Sequence, residues 1–446
     1  MTVSSLSFSV MTLVGTLFVG WQGATSLAAV GLGGAASFAL TGFGFGAFRA
    51  GKVAVSQVMG AHRSERVIPI IGSSLLLAVL VGVVTALLGA LLAPFIARAS
   101  SAEAAPLTEA YLVVRSLSAP ALFASIALRE ARFGLGDSRS PMSAAVVSNL
   151  ANIALDALLV VGLGWGVVGA AWGAVLAQFV DLALLTRVQR REGLGLRLIS
   201  RADLLWLWRL GWPLGVQFLM EIGAFTLLVA FLAWAGDVQV AAHQIALQAV
   251  HFSFMPAIGL GEAASVLVGR AVGANRDDLV RRVARITALL NAAYSALCGV
   301  VFATLGGLIA SGFTSDPVVV DTARKLLLVA AAFVVVDGLN ITARCALRGT
   351  GDVRFPALVG ILTAWLCQPP LTALFAFQFG WGALGGWLAI SVDVLLGAAL
   401  LWWRLEGQYW RASAAHSRLE AQAGVNETSL AGRSLEDAES TSAVAT

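Results

Sequence analysis

Long apolar runs separated by short polar connections make up most of this chain. About twelve can be marked, at roughly 4–22, 27–50, 68–97, 106–128, 142–163, 166–186, 204–234, 238–268, 283–311, 322–347, 354–379 and 382–403, and a helix needs about 20 apolar residues to cross a bilayer. The runs are continuous rather than ten-residue alternations, so the pattern predicts spanning helices and not the strands of a barrel. Several exceed the minimum length, which implies tilt or extension beyond the lipid. The expected fold is an all-α integral membrane protein.

The connections alternate in charge. One set carries His62, Arg63, Glu65 and Arg66, then Arg129, Arg132 and Arg139, then Arg187 to Arg201, then Arg270 to Arg285, then Arg344, Arg348 and Arg354. The other set, such as Gln22 to Ser26 and Gly236 to Val238, is short and poor in Lys and Arg. The positive-inside rule places the first set, and with it both termini, in the cytoplasm. Composition agrees, with only 12% charged residues against about 25% in soluble domains. The net charge of +4 expresses this bias rather than nucleic-acid binding, because no basic stripe lies on a soluble domain. Cys298, Cys345 and Cys367 sit in apolar runs with neither metal nor redox spacing and read as small packing residues.

The chain also repeats itself. Phe18-Val19-Gly20-Trp21-Gln22-Gly23 returns as Phe231-Leu232-Ala233-Trp234-Ala235-Gly236, and Gly60-Ala61-His62-Arg63 as Gly273-Ala274-Asn275-Arg276. Gly136-Asp137-Ser138-Arg139-Ser140-Pro141 returns as Gly351-Asp352-Val353-Arg354-Phe355-Pro356, and Gly164-Trp165-Gly166 as Gly380-Trp381-Gly382. Two similar membrane halves in tandem mark a secondary transporter with its site between them. The expected units are a six-helix bundle at 1–190, a linker at 191–203, a second bundle at 204–411 and a disordered cytoplasmic tail at 412–446. The first half lacks the second half's run-in from Leu204 to Met220, so its first helix is short or residues precede Met1.

Positions shared by both halves encode turns, so function is sought where the halves differ. Glu221 has Phe8 as its mate, Asp337 has Leu122, and Asp156 and Asn152 have Leu371 and Cys367. A carboxylate at mid-bilayer costs about 2.5–3.5 kcal/mol on insertion scales, and such groups normally face a cavity. They can then bind ions, protons or substrate, or else serve as satisfied structural hydrogen bonders. Asn152 and Asp156 share a helix face, and Asn340 lies near Asp337. Glu262 is the mate of Arg49, and the two could pair as a gate or each snorkel to the interface, where Lys52 is also expected. His243 could sense protons or bond structurally. Asp181 reads as a boundary residue, and Asp393 has no assigned role. Phe218, Met220, Phe252 and Met255 could line a drug-sized cavity or simply pack.

The chain resembles the multidrug and toxic compound extrusion (MATE) transporters over about residues 4–410, most like a DinF-like branch. The resemblance rests on Thr16-Leu17-Phe18-Val19-Gly20, Ala28-Ala29-Val30-Gly31, Val268-Gly269-Arg270-Ala271-Val272-Gly273-Ala274, the paired Gly-Asp-x-Arg-x-Pro turns, Asn152-Ile153-Ala154-Leu155-Asp156 and Gly169-Ala170-Ala171. It implies two six-helix bundles around a V-shaped cleft, and export of cationic or amphipathic compounds driven by inward Na⁺ or H⁺, without a cofactor. The family's first-helix acid falls here on Gly15 and its sixth-helix hydroxyl near Ala174, so the first-half cation site is depleted. Glu221, Asp337 and Asn340 are the expected coupling site, with Na⁺ at Glu221 and Asp337 as the only conceivable metal. Asn152 and Asp156 form a secondary site. A monomer in the bilayer with small-molecule substrates is expected. A flippase for lipid-linked precursors would need a cleft lined with Arg and Lys to hold phosphates. An enzyme would need a nucleophile–base pair or a metal cluster, which the sequence does not suggest.

Overall fold

The computed structural model describes residues 2–422, with side chains from Val10 onward. The helices in chain order are α1 (Thr2–Gly20), α2 (Ala24–Ala47), α3 (Ala50–Gly60), α4 (Val67–Ala97), α5 (Ala105–Ser116), α6 (Ala119–Leu135), α7 (Arg139–Asp156), α8 (Gly166–Arg190), α9 (Arg201–Trp234), α10 (Asp237–Gly273), α11 (Asp277–Ser311), α12 (Pro317–Gly349), α13 (Arg354–Ala373) and α14 (Gly382–Glu406). A last helix, α15, covers 411–422. Among the described residues ten spans are long and apolar enough to cross a membrane, counting α2 with α3 as one, and α5 with α6, bent by 45°, makes eleven. The apolar α1 precedes them. Pro120 lies in the first turn of α6, where its missing N–H costs nothing and a new helix can start.

The sequence repeats are repeats of backbone geometry. Gly23 and Gly236 have φ of 112° and 117°, and Gly136 and Gly351 have 88° and 86°. His62 and Asn275 enter the left-handed region together, at 56° and 58°. That region is costly for any residue with a Cβ, so both halves pay the same strain at the same turn. α7 and α13 each run on into a π-helical stretch, Ala157–Gly162 and Leu374–Gln378, ahead of the Gly-Trp-Gly turn.

Helices α1–α8 pack among themselves as one lobe and α9–α14 as a second. The lobes meet mainly through α3 against α10 and α2 against α9. The contact is reciprocal. A Cβ on Gly60 would lie 2.1 Å from the Arg270 carbonyl oxygen, and one on Gly273 would lie 1.9 Å from that of Gln57. Only glycine permits this approach from both sides. Polar contacts between lobes gather at the same arginine-rich end. Gln57 Nε2 donates to the Gly349 carbonyl at 3.0 Å, and Arg270 Nη2 donates to the Leu135 carbonyl at 2.8 Å. At the opposite end Gln22 donates to Val160, and the Ala383 N–H donates to Gln239, each bond staying within its own lobe.

The tail departs from expectation. Residues 412–422 are helical, with Ala414, Ser417 and Ala421 buried, because α15 finds partners distant in sequence. Ser417 Oγ donates to Gln57 Oε1 at 2.6 Å, and Arg418 Nη1 donates to Asn275 and Asp277, both at 2.8 Å. Arg66 donates to the carbonyls of Glu420 and Ala421. α15 therefore straps one lobe to the other. The rest of the expected tail, 423–446, lies outside the described residues.

Candidate functional site

The second lobe encloses a cavity of about 350 Å³ between α9, α10, α12, α13 and α14. Its charged lining is three carboxylates, Glu221, Asp337 and Asp393, and one arginine, Arg344. His243, His251 and Gln368 join them, with Phe225, Leu247, Phe254, Phe333 and Trp387 as apolar wall. Glu221 and Asp337 are thus brought together as expected. Asp337 makes no hydrogen bond or ion pair among the described residues. Asp393, which the sequence left unexplained, accepts from Gln368 Nε2 at 2.7 Å.

Glu221 is held differently. Its Oε1 accepts from Gln217 Nε2 at 2.8 Å and from Arg344 Nη1 at 2.9 Å. Gln217 Oε1 in turn accepts from Arg348 Nη2 at 2.9 Å. A ladder Arg348–Gln217–Glu221–Arg344 therefore ties α9 to α12. Arg344 and Arg348 look like connection residues in the sequence, yet both lie in the last two turns of α12, which reach Gly349. Burial of α12 against α10, α11 and α14 draws them inward.

Other expectations sort themselves. Asn340 is 4% exposed and donates to the Val394 carbonyl at 3.0 Å, so it bonds α14 rather than lining the cavity. His243 does line it, with Nδ1 accepting from Trp387 Nε1 at 3.1 Å and Nε2 buried without a partner. Phe218, Met220, Phe252 and Met255 are not among the lining residues. Phe218 packs instead on Phe38 and Phe45 and under Arg49, between the lobes. Phe252 is mostly exposed, and the Met220 carbonyl accepts from Trp365 Nε1.

In the first lobe Asn152 Nδ2 lies 3.5 Å from Asp156 Oδ1, with both residues buried. Gly15 and Gly173 close on the same carboxylate. A Cβ on Gly173 would lie 2.1 Å from Oδ1, and one on Gly15 would lie 3.3 Å from Oδ2. Arg115, in the last turn of α5, is a charge of opposite sign that acts on this carboxylate. It sits inside an apolar run and was missed; a lone arginine at lipid depth was the signal that could have found it.

Between the lobes, Arg49 Nη1 lies 3.9 Å from Glu262 Oε1. Lys52 is the closer partner of Glu262, and its Nζ also donates to Glu130 Oε2 at 2.8 Å. Lys52 does not reach the headgroups as expected. Its side chain is 3% exposed, because two glutamates from opposite lobes offer it better partners than the interface. Glu130 was not singled out in the sequence.

A two-lobed bundle of spanning helices, duplicated in sequence and with charged residues facing an internal cavity, defines a secondary membrane transporter by class. Comparison with known proteins gives the family. The MatE family model matches residues 1–158 and 213–374. A probable multidrug resistance protein NorM from Pseudomonas syringae pv. tomato is 30% identical over 421 residues, covering 90% of this chain and 92% of the relative. One of the same description from Bradyrhizobium diazoefficiens is 29% identical over 420 residues, covering 90% of each. Among solved structures, a MATE protein in complex with MaL6 superposes with a TM-score of 0.85 at 22% identity, covering 92% of this chain and 95% of that one. An outward-facing multidrug resistance MATE family transporter gives 0.82 at 21%, covering 94% of each. The chain belongs to the MatE family and is a transporter, not an enzyme. These matches carry the family and not the DinF-like branch.

Proposed function

We propose that this transporter is an antiporter that exports cationic or amphipathic small molecules in exchange for Na⁺ or H⁺. The observation that carries the reading is Asp337, a carboxylate facing the cavity of the second lobe with no hydrogen bond or ion pair among the described residues to hold it. An acid in that position costs about 2.5–3.5 kcal/mol on insertion scales, and a visiting cation or proton offsets the cost. Asp393 and Glu221 share the cavity, so the lining carries more negative than positive charge and favours cations over anions. The printed names of the relatives point the same way, towards multidrug resistance.

In this reading the arginine-rich end is cytoplasmic, as are both termini, and the membrane is the bacterial inner membrane. Glu262, Lys52, Glu130 and Arg49 close the cytoplasmic side, and Asn152 and Asp156 form a secondary site in the first lobe. Binding alone does not drive exchange; the cation must prefer one state over the other. The flippase alternative finds little support, because Arg49 and Lys52, the basic groups that could hold a phosphate between the lobes, lie against Glu130 and Glu262.

The test is Asp337→Asn in proteoliposomes loaded with ethidium, with Na⁺ and pH gradients imposed separately. Coupled flux is expected to vanish while the protein stays folded. Unchanged coupling rejects the site.

A further inference from the structure

Arg344 is the one positive charge lining the cavity of the second lobe, and the antiporter reading gives it no role. It sits on the acid that a transported cation would use. Its Nη1 lies 2.9 Å from Glu221 Oε1, and the two side chains keep 23% and 30% of their exposure. A guanidinium has five N–H donors in a rigid fork. Arg344 uses one of them on Glu221, and its Nε is buried without a partner. The Nε of Arg129 and of Arg348 is likewise buried without a partner, so what sets Arg344 apart is its place in the cavity. Asp337 and Asp393 lie in the same cavity, and both act electrostatically on this guanidinium.

The first lobe supplies an internal control. Arg129 is the sequence mate of Arg344, at the offset of the paired Gly-Asp turns. It donates to Asp181 at 2.8 Å, but there the carboxylate is only 3% exposed. Arg129 itself keeps 32% of its exposure, but the acid it holds is shut off, whereas the acid held by Arg344 faces the cavity. One inherited arginine has become a lock between helices, and the other stands where an ion can reach its partner.

We infer that Arg344 is a tethered cation, which holds Glu221 in the state described here and yields it when a transported cation enters the cavity. This rests on the antiporter reading and adds a residue to it. Guanidinium and incoming cation compete for the same carboxylates, so they cannot both bind at full strength. Displacement moves Arg344 away from Glu221 and loosens the ladder through Gln217 and Arg348, which ties α9 to α12. Arg344 is thus a positioning residue that prevents the site from holding its cation too tightly to release it.

The experiment uses the full chain. Na⁺ binding is followed by intrinsic tryptophan fluorescence, since Trp387 lines the cavity. Proton uptake is followed in weakly buffered solution, and ethidium flux in proteoliposomes. R344Q is expected to tighten cation binding at least about tenfold, or about 1.4 kcal/mol, and to lower the maximal flux because release slows. R344K keeps the charge and is expected to stay near wild type. A purely structural arginine predicts lost thermal stability without tighter binding, and equal or weaker binding by folded R344Q overturns the proposal. Should R344Q not fold, E221Q carries the test. It frees Arg344 to compete at Asp337 and Asp393, so the remaining cation binding should weaken about tenfold, and unchanged binding overturns the proposal. A wild type that binds neither Na⁺ nor protons sinks the antiporter reading. In that case, binding that emerges in R344Q upholds the tethered cation, and none in R344Q removes it too.

Discussion

The two lobes share a backbone plan but differ in what their charges can do. In the first, Asp156 is 5% exposed, bonded to Asn152 and enclosed by Gly15 and Gly173. In the second, Asp337 faces a cavity with two further acids. The mates Arg129 and Arg344 repeat the contrast, one on a carboxylate closed to water and the other on one that lines the cavity. Duplication preserved the turns that fold each half, since left-handed positions recur pair by pair. It did not preserve the acids. A turn is constrained by its local backbone, whereas a charge at lipid depth persists only where something compensates it. The acids of the two lobes therefore differ in surroundings, one enclosed and the others facing a cavity.

The largest expected effect sharpens that contrast. Asp337→Asn should reduce coupled ethidium flux by more than about tenfold, whereas Asp156→Asn should change it by less than about threefold (tenfold is about 1.4 kcal/mol). Equal losses in flux assays run side by side would break the comparison and return the first lobe to the coupling mechanism. Next comes the arginine of the first lobe. Arg129→Gln strands Asp181, whose Oδ1 already lacks a partner. Arg129 keeps 32% of its exposure, so the cost falls below about 3–5 kcal/mol, the figure for breaking a fully buried pair. A clear drop in thermal midpoint is expected, with the half-saturation for Na⁺ or protons unmoved in the folded fraction. This is the reverse of the pattern expected for Arg344→Gln.

Much of this architecture was legible in the sequence because its causes are local. Apolar runs of spanning length, turn glycines and the repeat offset each depend on a few neighbouring residues. The cavity acids were legible for a related reason, since an acid inside an apolar run is an anomaly within its own helix. What escaped depended on contacts distant in sequence. Arg344 and Arg348 stand where an apolar run ends, so they read as boundary charges until α12 is seen packed at the centre of its lobe. Lys52 read as snorkelling because its partners, Glu130 and Glu262, lie 78 and 210 residues away. Asn340 failed in the opposite sense. Its position beside Asp337 suggested a shared site, but its amide faces Val394 on α14.

α15 is the other element hidden from composition, and it supplies a smaller prediction that concerns both lobes at once. The tail it opens is rich in Ala, Ser and Glu, yet Ser417 and Arg66 fasten α15 to the first lobe and Arg418 to the second. Removing residues 411–446 should leave transport intact and loosen the arginine-rich end. The readout is labelling of a cysteine introduced at Val353, buried in the same cluster as Ala421 of α15, in a background without native cysteines, by an impermeant maleimide. Faster labelling after truncation is expected. An unchanged rate would mean that the reciprocal α3–α10 contact closes that end unaided.

The smallest effect concerns the paired turns outside the lipid. Asp137 accepts from the backbone N–H groups of Arg139 and Ser140, both at 3.0 Å, and from the Arg132 guanidinium at 2.7 Å. Partial burial alone would raise its pKa. The Ser140 hydrogen bonds and Arg132 outweigh that and hold it at about 2. A carboxyl depressed on folding contributes stability that is fully present above its unfolded value, about 4, and is lost as pH falls towards 2. Asp352, its mate, pairs instead with Arg404 from α14, at 2.6 Å. Asp137 thus caps a helix start within its own turn, while Asp352 ties a turn to a distant helix. Asp137→Asn should therefore flatten the acid limb of the stability profile between about pH 4 and pH 2 and leave the neutral plateau only slightly lower. An acid limb identical to wild type in thermal melts would show that Arg132 holds this turn through Glu192, its other partner at 2.7 Å, and that the turn does not depend on the Asp137 charge.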